Sequence, residues 1–194
     1  MKLKKYILFK INKLNYEFRT LNEKDVNQDY LNGLDEQNKY IKNIPAKISF
    51  ASQKKYVRET LDTKSDTLLG LIVNNNLVAT AGVQLSFSEI FLNNINTQVN
   101  KLATVGIFIF NTNFRGMGLG KVLVWAATSL FYECTRTQWF GAGMEKNNLP
   151  SYKSFLSCGY QVVLNDGEYY KMIANISDLK KPESIKHIIT QEHG

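Results

Sequence analysis

Polar and apolar positions change period several times along the chain, and each change marks an element. Tyr16-Glu-Phe-Arg-Thr-Leu21 alternates as a half-buried strand does. Asn22-Glu-Lys-Asp25 offers a polar start to a short helix running towards Gly33. Between Ser49 and Asp62, Phe50, Tyr56, Val57 and Leu61 fall at helical spacing and predict a second helix. Thr67–Val73 and Leu77–Val83, joined by Asn74-Asn75-Asn76, predict a hairpin, because asparagine tolerates the left-handed backbone such turns require. Ser86 to Lys101 is polar and Asn-rich, a loop broken by Ile90-Phe91-Leu92.

Ala103–Phe110 is a near-continuous apolar run, the pattern of a central strand covered on both faces. From Gly116 to Cys134 the period becomes 3.6, with Leu119, Val122, Leu123, Ala126, Leu130 and Phe131 on one face of a long helix. Thr137–Met144 predicts another strand, Leu149–Cys158 a short helix, and Tyr160–Val163 with Tyr169–Ile173 two closing strands. Strand–helix alternation after a hairpin implies an α/β fold on a mixed sheet. No repeat, linker or low-complexity tract divides the chain, so residues 1–194 are read as one domain. Its core is expected at about 14–173, with a basic N-terminal segment at 1–13 and a tail at 177–194.

Composition narrows the function classes. The formal charge of +7 suggests an anionic partner, but Lys2, Lys4, Lys5, Lys10 and Lys13 supply much of it locally. No helix-turn-helix, zinc finger or aromatic RNA-binding signature accompanies it, so nucleic acid is not expected as a partner. No apolar run approaches the roughly 18–20 residues that span a bilayer, so no membrane partner is expected either. The apolar stretch Tyr6–Phe9 is too short for a signal peptide, which leads to the expectation of a cytoplasmic protein. Cys134 and Cys158 form no ligand pair, and His187 and His193 both lie in the tail, so no metal site is expected.

The chemistry sits between the apolar strand and the long helix, at Asn111-Thr-Asn-Phe-Arg115-Gly-Met-Gly118-Leu-Gly120-Lys121. Glycines let successive N–H groups converge, and the start of a helix adds positive potential, so the segment suits phosphate. The P-loop spacing fails, because Val122 follows Lys121 and no glycine stands five residues before Gly120. The dinucleotide spacing fails too, because Lys121 stands where GxGxxG needs its third glycine.

Arg115-x-x-Gly118-x-Gly120 does resemble the R/Q-x-x-G-x-G/A signature of the GNAT superfamily of N-acetyltransferases, placed after a strand and opening a helix. A second stretch, Asn148-Leu-Pro-Ser151-Tyr-Lys-Ser-Phe155-Leu-Ser-Cys-Gly159-Tyr160, is similar to that family's N-x-x-A-x-x-x-Y-x-x-x-G-F segment. The resemblance implies the GNAT fold, with about six to seven strands flanked by about four helices. It implies acetyl-CoA as cosubstrate, with its pyrophosphate held by Arg115, Gly116, Met117, Gly118, Leu119, Gly120 and Lys121. The pantetheine arm would run along Gly106, Ile107, Phe108 and Ile109, and Asn148 and Ser151 would complete the binding set. Homodimers are expected from the same resemblance.

The chain departs from the pattern where catalysis is concerned. Many members carry a Tyr that protonates the departing thiolate, and Phe155 stands at that position. Tyr152, three residues earlier on the same predicted helix, is the substitute candidate, with water as the alternative. Glu145, at the end of a predicted strand, leads as general base, and Glu89 is weaker. Tyr30, Tyr40, Phe50, Phe87, Phe91 and Tyr169 are candidates to line an acceptor pocket. The expected activity is acetyl transfer to a small amine: an amino sugar, amino acid or polyamine. Alternatives are acetylation of a protein N-terminus or lysine, or a CoA-binding module without catalysis, the case Phe155 favours.

Overall fold

The computed structural model describes residues 1–38, 48–86 and 102–192. Nine strands form one sheet in the order β7-β8-β6-β5-β4-β3-β2-β1-β9. In chain order they are β1 Lys5–Ile11, β2 Leu14–Thr20, β3 Asp66–Val73, β4 Asn76–Ser86, β5 Leu102–Ile109, β6 Trp139–Glu145, β7 Gln161–Asn165, β8 Tyr169–Asn175 and β9 Ile185–Glu192. Four α-helices accompany them among the described residues: α1 Gln28–Asn38, α2 Phe50–Asp62, α3 Leu119–Thr135 and α4 Leu149–Ser157. Of the strand pairs, β5·β6 is parallel and its neighbours β4·β5 and β6·β8 are antiparallel. A parallel pair needs a crossover, and α3 supplies it.

The sheet is mixed and helix-flanked as expected, with more strands than the six or seven read from the sequence. The additions are β1 and β9, which arise from the basic start and the tail and pair with each other. Ile7, Phe9 and Ile11 alternate into the core from β1, so Lys5 and Lys10 of this segment sit on a genuine strand. The first helix also starts later than expected. Asn22 caps a single 3-10 turn at Glu23–Asp25, and α1 begins where Asn27 Oδ1 accepts the Tyr30 N–H at 2.9 Å. The hairpin turn is built as predicted, with Asn74 at φ 50° and Asn75 at φ 63°.

Each face of the sheet has its own core. On one face α3 buries Leu119, Val122, Leu123, Ala126, Leu130 and Phe131 against Ala81, Val83, Ala103 and Val105. On the other, Tyr30 and Leu31 of α1 and Val57 of α2 pack with Leu21, Ile72, Leu77 and Phe110. Gly33 lets α1 approach closely, because a Cβ there would lie 2.3 Å from Phe110 Cβ. Glu89, Tyr40, Phe87 and Phe91 lie outside the described residues.

Candidate functional site

The central feature is a division of the sheet. β5 pairs with β4 all the way to Ile109, and β6 pairs with β8 all the way to Glu145. Between them, β5 and β6 pair only at Leu102↔Trp139, Ala103↔Phe140 and Thr104↔Gly141. Beyond Thr104 the two strands part, which leaves Val105–Ile109 and Ala142–Glu145 facing a gap. Backbone groups along such a gap have no partner across it and are available to a ligand that carries amides of its own. Gly106, Ile107, Phe108 and Ile109, assigned to the pantetheine arm by resemblance, all lie on this unpaired length.

The glycine-rich loop closes the end of the gap. Asn111 caps a 3-10 turn at Thr112–Phe114, accepting the Asn113 N–H at 3.1 Å. Arg115 follows, its Nε donating to the Ile109 carbonyl at 3.0 Å and so tying the loop to the end of β5. Gly116 and Gly118 both take left-handed backbone, at φ 75° and 76°, a conformation that costs an L-residue about 1–2 kcal/mol. Gly118 is the N-cap of α3 and carries no side chain to cap it. The first-turn amides of a 17-residue helix, at Leu119, Gly120 and Lys121, are thus left for an anion. Leu119 is 1% exposed, so its side chain belongs to the core.

α4 packs against this turn. A Cβ on Gly120 would lie 2.4 Å from Ser154 Oγ, so the glycine sets how closely the two helices approach. The Cys158 thiol donates to the Lys121 carbonyl at 3.1 Å, and its burial pushes its pKa up to about 11. Asn148 caps α4, its Oδ1 accepting the Ser151 N–H at 3.2 Å. That cap uses the Asn148 oxygen and the Ser151 amide inside the protein, and leaves the Ser151 hydroxyl on the helix surface.

The catalytic candidates are dispersed. Phe155 is 2% exposed and meets Tyr160 edge-on at 4.9 Å, so it is a core side chain. Tyr160 is fully buried, with its hydroxyl 2.8 Å from Thr128 Oγ1. Thr128 gives its own proton to the Val124 carbonyl, so Tyr160 is the donor in that pair. Burial raises the Tyr160 pKa well above the usual phenol value, and it holds its proton. Tyr152 lies against Tyr170 of β8, with ring centroids 4.8 Å apart, and Lys146 stands over the same Tyr170 ring at 5.5 Å. Glu145 is exposed at the end of β6, across from Tyr169. Of the aromatic pocket candidates, Tyr30 is buried, its hydroxyl accepting from Gln53 Nε2 at 3.0 Å. Phe50 and Tyr169 are exposed.

Sequence reading missed an open bay on the α2 face of the sheet. It holds about 390 Å³ and is lined by Tyr56, Asp66, Gln84, Thr104, Gly106 and Gly143 among others. Its residues come from α2 and four strands and are brought together only by strand register. No local motif could have marked it. Among the described residues no group of three or more His, Cys, Asp or Glu is placed to hold a metal ion. None of the described helices is long and apolar enough to cross a membrane.

No protein-family model and no curated protein matches the sequence. Solved structures match the fold across most of the chain. Mycobacterium smegmatis RimJ in complex with CoA-disulfide is similar with a TM-score of 0.69 and 9% identity, over 95% of this chain and 94% of that one. Ribosomal-protein-S5-alanine acetyltransferase from Vibrio fischeri gives 0.65 and 11%, over 90% and 99%. Campylobacter jejuni N-acetyltransferase PseH, in complex with acetyl coenzyme A, gives 0.56 and 12%, over 82% and 99%. At these identities the likeness is one of architecture: the chain has the GNAT fold.

Proposed function

We propose that this chain is an acetyl-CoA-dependent N-acetyltransferase of the GNAT superfamily, acting on the amine of a small molecule. The observation that carries the reading is the gap between β5 and β6, which runs to a glycine loop at the uncapped start of α3. A long ligand with amides in its middle and a pyrophosphate at one end matches that sequence of features. The similar folds of RimJ with CoA-disulfide and PseH with acetyl coenzyme A support the same ligand.

On this reading Arg115 and the loop through Lys121 hold the pyrophosphate, and Gly106–Ile109 run beside the pantetheine. Asn148 and Ser151 serve by fixing the start of α4 against that loop. The amine nitrogen attacks the thioester carbonyl and the C–S bond breaks. The CoA thiolate leaves and takes up a proton, while the new amide nitrogen gives one up. Glu145 is the candidate to receive that proton and Tyr152 the candidate to supply the other. The two unpaired cysteines agree with a cytoplasmic enzyme. A second reading, acetylation of a protein N-terminus, is favoured by the similar fold of the S5-alanine acetyltransferase.

Thiol release from acetyl-CoA, followed against a panel of amines and peptides, tests the proposal. Turnover of small amines supports it, turnover of peptides alone favours the second reading, and tight CoA binding without turnover leaves a binding module. Gly118→Glu should abolish CoA binding, because it puts a carboxylate where the pyrophosphate sits. Retained affinity in that variant would place the site elsewhere.

A further inference from the structure

Each strand beside the gap turns alternate side chains to opposite faces of the sheet. On β6, Phe140, Ala142 and Met144 are buried on the α3 face. Trp139, Gly141, Gly143 and Glu145 therefore share the α2 face, where Gly143 helps to line the bay. The register of β8 carries that face one strand further out. Gly143 pairs directly with Lys171, and Glu145 with Tyr169. Lys171 thus stands on the α2 face one strand spacing, about 5 Å, from the unpaired length of β6. Between it and the gap lies Gly143, where a Cβ would meet no atom within 4 Å. Gly106, on the other strand of the gap, is equally clear.

A lysine stem spans roughly 6 Å from Cα to nitrogen when extended and turns about several bonds. That reach exceeds the strand spacing, so the Lys171 nitrogen can arrive at the edge of the gap over the bare backbone of Gly143. Lys171 is half-buried and does not itself line the bay. Its charge also acts on the turn between β7 and β8. There the Asp166 carboxyl is held below its usual range first by the Tyr169 N–H, then by the Glu168 N–H, with Lys171 and Lys146 adding attraction. Passing from that turn to the gap needs side-chain rotation alone, a fast motion. Glu145 stands diagonal to Lys171 on the same face, about 7–8 Å away, a separation that long side chains bridge. Its exposed carboxylate is placed to take a proton from the ammonium.

We propose that Lys171 is a self-acetylation site: with no acceptor present, its Nζ takes the acetyl group from the thioester held in the gap of the same chain. The inference rests on the acetyltransferase reading and adds to it a modification at one residue. The Lys171 ammonium first gives a proton to Glu145 or to water. The nitrogen then attacks the thioester carbonyl, the C–N bond forms and the C–S bond breaks. The departing CoA thiolate takes up one proton, and the nitrogen releases its second as the amide forms. The product is a neutral acetyl-lysine, which has no lone pair left for another attack, so each chain reacts once. Lys171 outpaces other lysines because it shares one site with the thioester.

The test uses the full chain with acetyl-CoA and no added amine, and calorimetric CoA affinity as a separate readout. Peptide mass mapping should find an acetyl group on Lys171, formed about tenfold faster or more than on Lys180, an exposed lysine after β8. The rate per chain should not change with protein concentration, because donor and acceptor belong to one molecule. Excess free CoA, which competes for the gap, should suppress acetylation of Lys171 and leave that of Lys180 unchanged. Thiol release without an added amine should fall away in Lys171→Arg, whose guanidinium is no nucleophile at neutral pH. Lys171 left unmodified, or modified no faster than Lys180, would overturn the inference. So would a rate that rises with protein concentration or ignores free CoA. Failure of the wild-type chain to bind CoA would instead overturn the acetyltransferase reading beneath it.

Discussion

Gly118 stands at φ 76° directly before α3. A Cβ there would meet Lys121 Cε at 3.4 Å, an ordinary contact, so a small substitution is felt through the backbone. The left-handed conformation costs an L-residue about 1–2 kcal/mol, less for asparagine, whose side chain can hydrogen-bond locally. In the free protein the loop can relax and relieve that strain. If the amides of Gly118 to Lys121 receive the pyrophosphate, CoA must restore the conformation, and the strain then falls on binding. At 1.4 kcal/mol per tenfold, about 1–2 kcal/mol weakens CoA by roughly 5- to 30-fold. Calorimetric titration of CoA at fixed ionic strength should give that loss for Gly118→Ala, a smaller one for Gly118→Asn and a larger one for Gly118→Val. Wild-type affinity in all three would refute the reasoning. A larger loss for Asn than for Ala would mean that side-chain volume, and not backbone conformation, governs the site.

Three further outcomes follow from the packing around the loop. Thr128→Val leaves the fully buried Tyr160 hydroxyl without an acceptor and should cost about 1–3 kcal/mol in urea unfolding; Tyr160→Phe should cost less, and the double variant no more than Tyr160→Phe alone. Asn148→Ala removes the cap that accepts the Ser151 N–H and should lower stability by about 1 kcal/mol, with CoA affinity falling as the start of α4 frays. The Cys158 thiol, raised from 9.0 to about 11 by burial, should resist alkylation of the native protein at pH 8. Because its folded value is the raised one, its contribution to stability is intact below about 9 and lost as pH climbs towards about 11, a loss that Cys158→Ala should remove.

What the sequence revealed was what local chemistry determines. Asn74 and Asn75 announce their left-handed turn, and Gly116 and Gly118 announce theirs, because a positive φ narrows the choice of residue at one position. The α3 stripe is legible because its burial repeats within a single helix. β1 was passed over although Ile7, Phe9 and Ile11 alternate, because lysines crowd the same stretch and its partners, β2 and β9, lie on either side of it in the sheet. The bay on the α2 face was beyond reach for a related reason. Gly82 and Gly106, which help to line it, are far apart in the chain and become neighbours only through register, which long-range pairing sets. Asn148 shows the opposite case: its place in a motif was legible, but the structure gives its side-chain oxygen to a helix cap.

Phe155 raises the question of whether a chain without the usual phenol can run this reaction. Its ring lies in the core against Tyr160, so this position offers no hydroxyl. The missing acid matters less than its prominence in the family's motif implies. A thiol of pKa about 8.5 leaves as thiolate at pH 7 at a free-energy deficit of about 2 kcal/mol relative to its protonated form. That sets the scale of what a proton donor can recover, roughly 30-fold in rate. Positioning two reactants in one site is worth about 7–11 kcal/mol. If the gap and the glycine loop hold the thioester as proposed, that larger share comes from features other than the side chain of residue 155. A phenylalanine there is therefore compatible with transfer, at a rate that should rise with pH as the free thiolate becomes the favoured product.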